Sequence, residues 1–171
     1  MFDKKSTEKI MELFFLNPKN SYHLRELSRR VDMSVSTVSM AVDELEDMGL
    51  LSVEKDVVKE ISATRNQFFK DLKLSYNLES LTKSGLIDKV ERGLKPDAIV
   101  LFGSYSRGED DSKSDIDIAS INGRKEEIDI SGLEKKLKRN INVHKVDLEE
   151  AADNFVKTLV NGIVLRGYLD I

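Results

Sequence analysis

Two aspartates separated by one residue, Asp115 and Asp117, follow a Gly-Ser pair at 103–104 with ten residues in between. On an extended backbone side chains alternate between faces, so carboxylates at i and i+2 project the same way. Two like charges held that close repel unless a cation joins them. Magnesium suits such a pair, because it prefers oxygen ligands and is commonly held by one or two carboxylates together with phosphates. Gly103 lets a phosphate approach the backbone and Ser104 offers a hydroxyl. A helix starting at that point would add free N–H groups and the positive end of its dipole. The chain has no cysteine, which removes thiolate catalysis, disulfides and zinc fingers. His23 and His144 are its two imidazoles, so oxygen must supply most of any metal's ligands.

The elements that hold this arrangement lie on either side of it. Ala98-Ile99-Val100-Leu101-Phe102 is a continuous apolar run of the length and kind found in a strand buried on both faces, and Gly103 terminates it. Asp115-Ile116-Asp117-Ile118-Ala119 alternates polar and apolar as a second strand. Residues 128–140 have helical spacing and 141–146 read as a third strand. Its outward positions are Asn142 and His144, with no acid until Asp147. The acidic run Glu109-Asp110-Asp111 reads as a solvated loop, and residues from 148 onward as mostly helical.

The first half has a different pattern. Ile10, Leu13 and Phe14 recur at helical spacing after Ser6 or Thr7, either of which can cap a helix that Pro18 ends. Ser21 offers a second cap before Leu24, Leu27 and Val31. Ser34 offers a third, before the stripe Val35, Val38, Ala41, Val42 and Leu45, which Gly49 closes. Residues 50–54 and 57–61 then read as a hairpin turning at Lys55-Asp56. Helical spacing resumes over 66–92, with Gly85 as a break and Pro96 as the stop.

Composition sets the outer bounds. At 40% hydrophobic and 34% charged residues, with no apolar run near the ~20 residues of a membrane span, the chain is expected to be soluble and folded. The charged N-terminal segment has no signal-peptide core, from which a cytoplasmic location is expected. A net charge of −4 disfavours diffuse attraction to nucleic acid and leaves room for a local basic face.

The Gly-Ser turn, the ten-residue spacing and the Asp-x-Asp strand, with Arg107-Gly108 and Ser114 between them, resemble the signature of the polymerase-β-like nucleotidyltransferases, most closely their minimal members. The resemblance covers roughly residues 80–171. It implies that Gly103 and Ser104 bind a nucleoside triphosphate, ATP foremost, with Arg107 assisting. Asp115 and Asp117 would carry Mg²⁺ while an acceptor hydroxyl attacks the α-phosphate. The family often places a third carboxylate on the next strand, and this sequence does not. His144 as base or ligand, Asp147 swinging in, or a site that binds nucleotide without efficient turnover are the alternatives.

Residues 22–49 with the following hairpin resemble a winged helix-turn-helix. That implies duplex DNA contacts from Val35, Ser36, Thr37 and Ser39 on the recognition helix, from Arg25, Arg29 and Arg30 on the helix before it, and from Lys55 and Lys59 on the wing. Residues 1–65 hold ten basic against twelve acidic side chains, a net −2. This tempers DNA affinity and leaves dimerisation or protein contact as the other use of the domain.

The expected architecture is therefore mixed α+β, as in a group of archaeal proteins. Residues 1–65 form a winged helix-turn-helix domain, 66–92 a helical connector, and 93–171 a small nucleotidyltransferase-like domain with a mixed sheet flanked by helices. Two functions follow from the resemblance. One is a homodimeric, Mg²⁺-dependent nucleotidyltransferase acting on a hydroxyl acceptor, a protein among the candidates. The other is a DNA-binding regulator whose second domain senses nucleotide.

Overall fold

The computed structural model describes residues 4–55 and 59–170, and of Lys4 and Lys55 the backbone alone. The chain divides into two compact units, residues 1–70 and 71–171. No described helix is long and apolar enough to cross a membrane.

In the first unit, helices α1 (Lys4–Leu16) and α2 (Leu24–Val31) both pack against α3 (Val35–Asp47). Ile10, Phe14, Leu27, Val38, Val42 and Leu45 are buried where they meet. The turn from α2 to α3 is tied by Ser28, whose hydroxyl donates to the Met33 carbonyl at 2.6 Å. Ser34 caps α3 as expected, its Oγ accepting the Thr37 N–H at 3.1 Å. At the other end Gly49 has φ +72°, and the Leu50 and Gly49 N–H groups donate to the Leu45 and Glu46 carbonyls. That is a Schellman close, which needs a residue free to adopt positive φ.

Strands β1 (Ser21–His23), β2 (Leu51–Lys55) and β3 (Lys59–Ala63) form an antiparallel sheet in the order β1-β3-β2. Three expectations shift here. Ser21 caps no helix: it is paired with Ser62 in the sheet, and α2 starts at Leu24. Helix α1 starts at Lys4, ahead of Ser6 and Thr7. The second wing strand, described from Lys59, runs on to Ala63 where an end at 61 was expected, with Lys59 paired to Lys55. The expected turn residue Asp56 and strand residues Val57 and Val58 lie outside the described residues.

Helix α4 (Gln67–Ser84) leads through Gly85 into α5 (Leu86–Leu94). The second unit is built on a mixed four-stranded sheet ordered β6-β5-β4-β7, with β4 Ala98–Phe102, β5 Ile116–Ile121, β6 Ile141–Val146 and β7 Ile163–Gly167. β4 is antiparallel to both β5 and β7, and β5 is parallel to β6. One face packs Ile99, Leu101, Ile116 and Ile118 against Leu86, Ile87, Val90 and Leu94 of α5, with Leu133 and Leu137 of α6 (Ser131–Leu137) at the margin. The other packs Val100, Phe102, Ala119 and Ile121 against Leu159 and Phe155 of α7 (Asp153–Val160).

Burial of every β4 side chain explains its uninterrupted apolar run. The expected helix over 128–140 is shorter. The Asp129 carboxylate accepts both the N–H and the hydroxyl of Ser131 to start α6, and Lys138 at φ +53° ends it. The C-terminal stretch is not mostly helical either, since Ile163-Val164-Leu165 form β7 on the free side of β4.

Candidate functional site

Alternation along β5 puts Asp117 on the same face as Ala119 and Ile121, the face covered by α7. Register brings three chain segments to it. Asp117 stands opposite Phe102 on β4 and opposite Asn142 on β6, and Ala119 stands opposite His144. Directly after Phe102, Gly103 turns with φ +77°. A Cβ there would lie 2.7 Å from Asp117 Oδ2, so the glycine leaves the room in which this carboxylate sits.

The two aspartates meet through one amide. Asn142 Nδ2 donates to Asp117 Oδ1 at 2.9 Å and to Asp115 Oδ2 at 3.4 Å. Asn140 Nδ2 donates to the other Asp115 oxygen at 3.1 Å. His144 Nε2 is 3.6 Å from Asp117 Oδ1. Its ring lies 5.2 Å from that of Phe102 and 6.0 Å from that of Phe155, which is itself 5.6 Å from Phe102. Two half-buried carboxylates bridged by one amide, one of them packed against the Gly103 backbone, are a donor set suited to a hard divalent cation. Among the described residues no cluster of three His, Cys, Asp or Glu side chains forms a complete metal cage. Phosphate oxygens or water would have to complete the shell.

The turn itself departs from expectation. After Gly103 the chain makes one 3₁₀ turn, Tyr105–Arg107, where a helix N-terminus was expected, so any dipole contribution is confined to a few N–H groups. Ser104 makes no side-chain cap to that turn. Ser106 Oγ donates to the Gly103 carbonyl at 2.8 Å, and Arg107 is exposed, its Nε 2.9 Å from Glu109. Asp147 follows Val146, whose partner is Ile121, four positions along β5 from Asp117. Strand rise puts it more than ~10 Å from the aspartate pair, which removes it as the missing third carboxylate.

The larger surprise is Asp110, expected in a solvated run and fully buried. Its Oδ1 is 3.2 Å from Lys73 Nζ and accepts Asn77 Nδ2 at 2.8 Å, while its Oδ2 pairs with Arg139 at 2.9 Å. Lys73 and Asn77 come from α4, 37 and 33 residues upstream, so nothing local in sequence announces the cluster. Burial pushes the Lys73 ammonium below its usual range, against the opposing pull of Asp110. Burial also raises the Tyr105 phenol, over whose ring the Arg139 guanidinium sits at 5.4 Å.

In the first unit a cleft of about 500 Å³ is lined by His23, Leu24, Arg25, Glu26, Arg29, Val35 and Lys59. It gathers basic side chains of α2 and the wing beside the start of α3. Arg30 is not among the lining residues; its Nε is 2.8 Å from Glu26 and its guanidinium lies over the Tyr22 ring at 5.1 Å. Ser36 and Thr37 both hydrogen-bond the capping hydroxyl of Ser34. Ser36 is exposed, and Thr37 and Ser39 are half-buried. The Lys55 side chain lies outside the described residues. His23, which the sequence offered only as one of two imidazoles, also lines this cleft.

Two family models match the chain, one in each half. The model of the polymerase beta nucleotidyltransferase family matches residues 85–167, and that of winged helix-turn-helix DNA-binding domains matches residues 4–52. The fold and site thus define a nucleotidyltransferase domain. The chain belongs to the polymerase-β nucleotidyltransferases through that domain, and joins it to an N-terminal winged helix-turn-helix domain. No curated protein matches the chain. A solved toxin–antitoxin with AMP-PNP is 30% identical, over 50% of this chain and 73% of its own, with a TM-score of 0.37. A mutant of the toxin–antitoxin MntA–HpeT is 28% identical over the same shares, also at 0.37. At that TM-score neither superposition bears on the geometry above.

Proposed function

We propose that the second unit binds a nucleoside triphosphate, ATP foremost, at the Gly103–Ser104 turn and transfers its nucleoside monophosphate to a hydroxyl acceptor. The observation that carries this reading is the Asp115–Asp117 pair, gathered by one Asn142 amide, with Asp117 packed against Gly103. Asp115 and Asp117 would hold Mg²⁺, which supplies charge neutralisation at the transferred phosphate and orientation of the attacking oxygen. Gly103 admits the phosphates to the backbone, and Ser104 and Arg107 would donate to them. The rings of Phe102, His144 and Phe155 pack together beside Asp117. The acceptor would be a protein or small-molecule hydroxyl.

A second reading has its own support. β6 presents an amide, Asn142, opposite Asp117, and an amide can neither take a proton from an acceptor hydroxyl nor add charge to bind a second cation. This favours a nucleotide sensor with slow chemistry. In either case Arg25, Arg29 and Lys59, with Ser36, Thr37 and Ser39 of α3, would meet duplex DNA, Arg30 and Lys55 flanking them, in a homodimer reading paired half-sites.

Incubation with labelled ATP and Mg²⁺ separates the two. The transferase releases pyrophosphate and labels an acceptor, and Asp115→Asn with Asp117→Asn abolishes both. Binding of ATP with no pyrophosphate release leaves the sensor. Turnover that persists in the double variant removes the aspartates from the reaction.

A further inference from the structure

Asp110, Lys73, Asn77 and Arg139 form a buried polar cluster whose hydrogen bonds end on the backbone of the loop between Gly103 and Asp115. Lys73 Nζ donates to the Asp110 carbonyl as well as pairing with its carboxylate. Asn77 Nδ2 donates to the Tyr105 carbonyl at 3.0 Å and to Asp110 Oδ1 at 2.8 Å. The Arg139 guanidinium donates to the Asp111 carbonyl, to the Ser114 carbonyl at 3.0 Å and to Asp110 Oδ2 at 2.9 Å. Tyr105 follows the phosphate-side pair Gly103–Ser104, and Ser114 precedes Asp115.

The cluster therefore grips both ends of one loop. Arg139 also sits immediately before Asn140, which donates to Asp115, at the entry to the strand that carries Asn142. A single guanidinium thus ties the far end of the loop to the start of β6. Lys73 and Asp110 are fully buried, and a buried ion cluster is a poor way to add stability, because apolar residues of similar size do as well or better. What charge and amide groups do that apolar ones cannot is fix backbone carbonyls in place.

We infer that Asp110, Arg139 and Asn77 are positioning residues that set the distance between the phosphate-binding turn at Gly103–Ser104 and the carboxylate of Asp115. The functional half of this inference rests on the nucleotide reading above; the loop half does not.

The test is amide hydrogen exchange on the full chain together with ATP–Mg²⁺ binding and turnover, for wild type, Arg139→Lys and Asn77→Ala. Arg139→Lys keeps the buried charge and loses the planar fork, and Asn77→Ala leaves every charge in place, so both are expected to fold. Within the loop the Arg107 and Glu109 amides donate to the Ser104 carbonyl and the Ser114 amide to the Asp111 carbonyl. The expected result is exchange at least about tenfold faster at these three amides, with β4, β5 and α3 unchanged. Turnover should fall about tenfold or more while KM moves less than threefold, the signature of lost geometry and retained binding. Loop exchange equal to wild type overturns the inference, as does protection lost evenly across the second unit, which marks a merely structural cluster. A loosened loop with unchanged turnover also overturns it. If wild type neither binds nor turns over ATP, the proposed function fails, and the exchange result alone decides whether the cluster sets the loop.

Discussion

Asn142 donates one amide nitrogen to Asp117 at 2.9 Å, and the same nitrogen reaches Asp115. This amide bridges the two carboxylates from the place on β6 where a carboxylate would add charge. It is the feature on which catalysis and sensing diverge.

Replacing it tests which function the site has. Asn142→Asp removes a donor to two carboxylates and adds a third negative charge, so the metal-free protein should lose about 1–2 kcal/mol, less than a buried hydrogen bond to charge because the site is open to solvent. Millimolar Mg²⁺ should restore that loss in thermal unfolding. If wild type is limited by the missing carboxylate, pyrophosphate release should rise about tenfold, equivalent to ~1.4 kcal/mol of barrier. Asp147→Asn, beyond the far end of β6, should leave metal response unchanged.

Gly103→Ala places a Cβ 2.7 Å from Asp117 Oδ2 in a backbone at φ +77°. The backbone strain alone costs about 1–2 kcal/mol, and the carboxylate must also move. A drop in Tm of about 4–8 °C per kcal/mol is expected for a unit of this size. ATP affinity, measured calorimetrically, should fall by more than that stability loss explains.

The basic cleft of the first unit predicts which arginines matter for DNA. Arg25→Ala, Arg29→Ala and Lys59→Ala should each weaken binding to random duplex and lower the slope of log K against log salt by about 1. Arg30→Ala, already held by Glu26 and Tyr22, should leave the slope unaltered. A slope insensitive to all four would assign the domain to protein contact or dimerisation.

Lys73 sets a pH dependence. Its folded value lies below 10.5 because burial disfavours the charged form, so between that folded value and 10.5 the unfolded chain binds the extra proton. Stability from this group is therefore full above 10.5 and lost as pH falls through the folded value. Relative to Lys73→Met, which has no such proton, wild type should gain stability as pH rises toward 10.5 in parallel denaturant titrations.

Local rules carried much of this reading. The all-apolar run of β4, the Ser34 cap and the Gly49 close each depend on a few adjacent residues, and each is where the local pattern puts it, whereas β5 starts at Ile116, one residue after the expected Asp115. The Gly-Ser and Asp-x-Asp spacing likewise identified the family that the comparison matches.

Other features are set by residues distant along the chain. Ser21 looked like a helix cap because cap and strand share the same extended backbone, and pairing with Ser62 across forty residues made it a strand. β7 had no alternation of its own and exists because β4 offered an unpaired edge. Asp110 read as one more solvent-facing acid, yet a carboxylate can be buried when cations and amides surround it, and those came from α4 and from the residue before β6. Charge type and backbone spacing are local properties of a sequence, whereas burial and pairing belong to whatever the fold brings alongside.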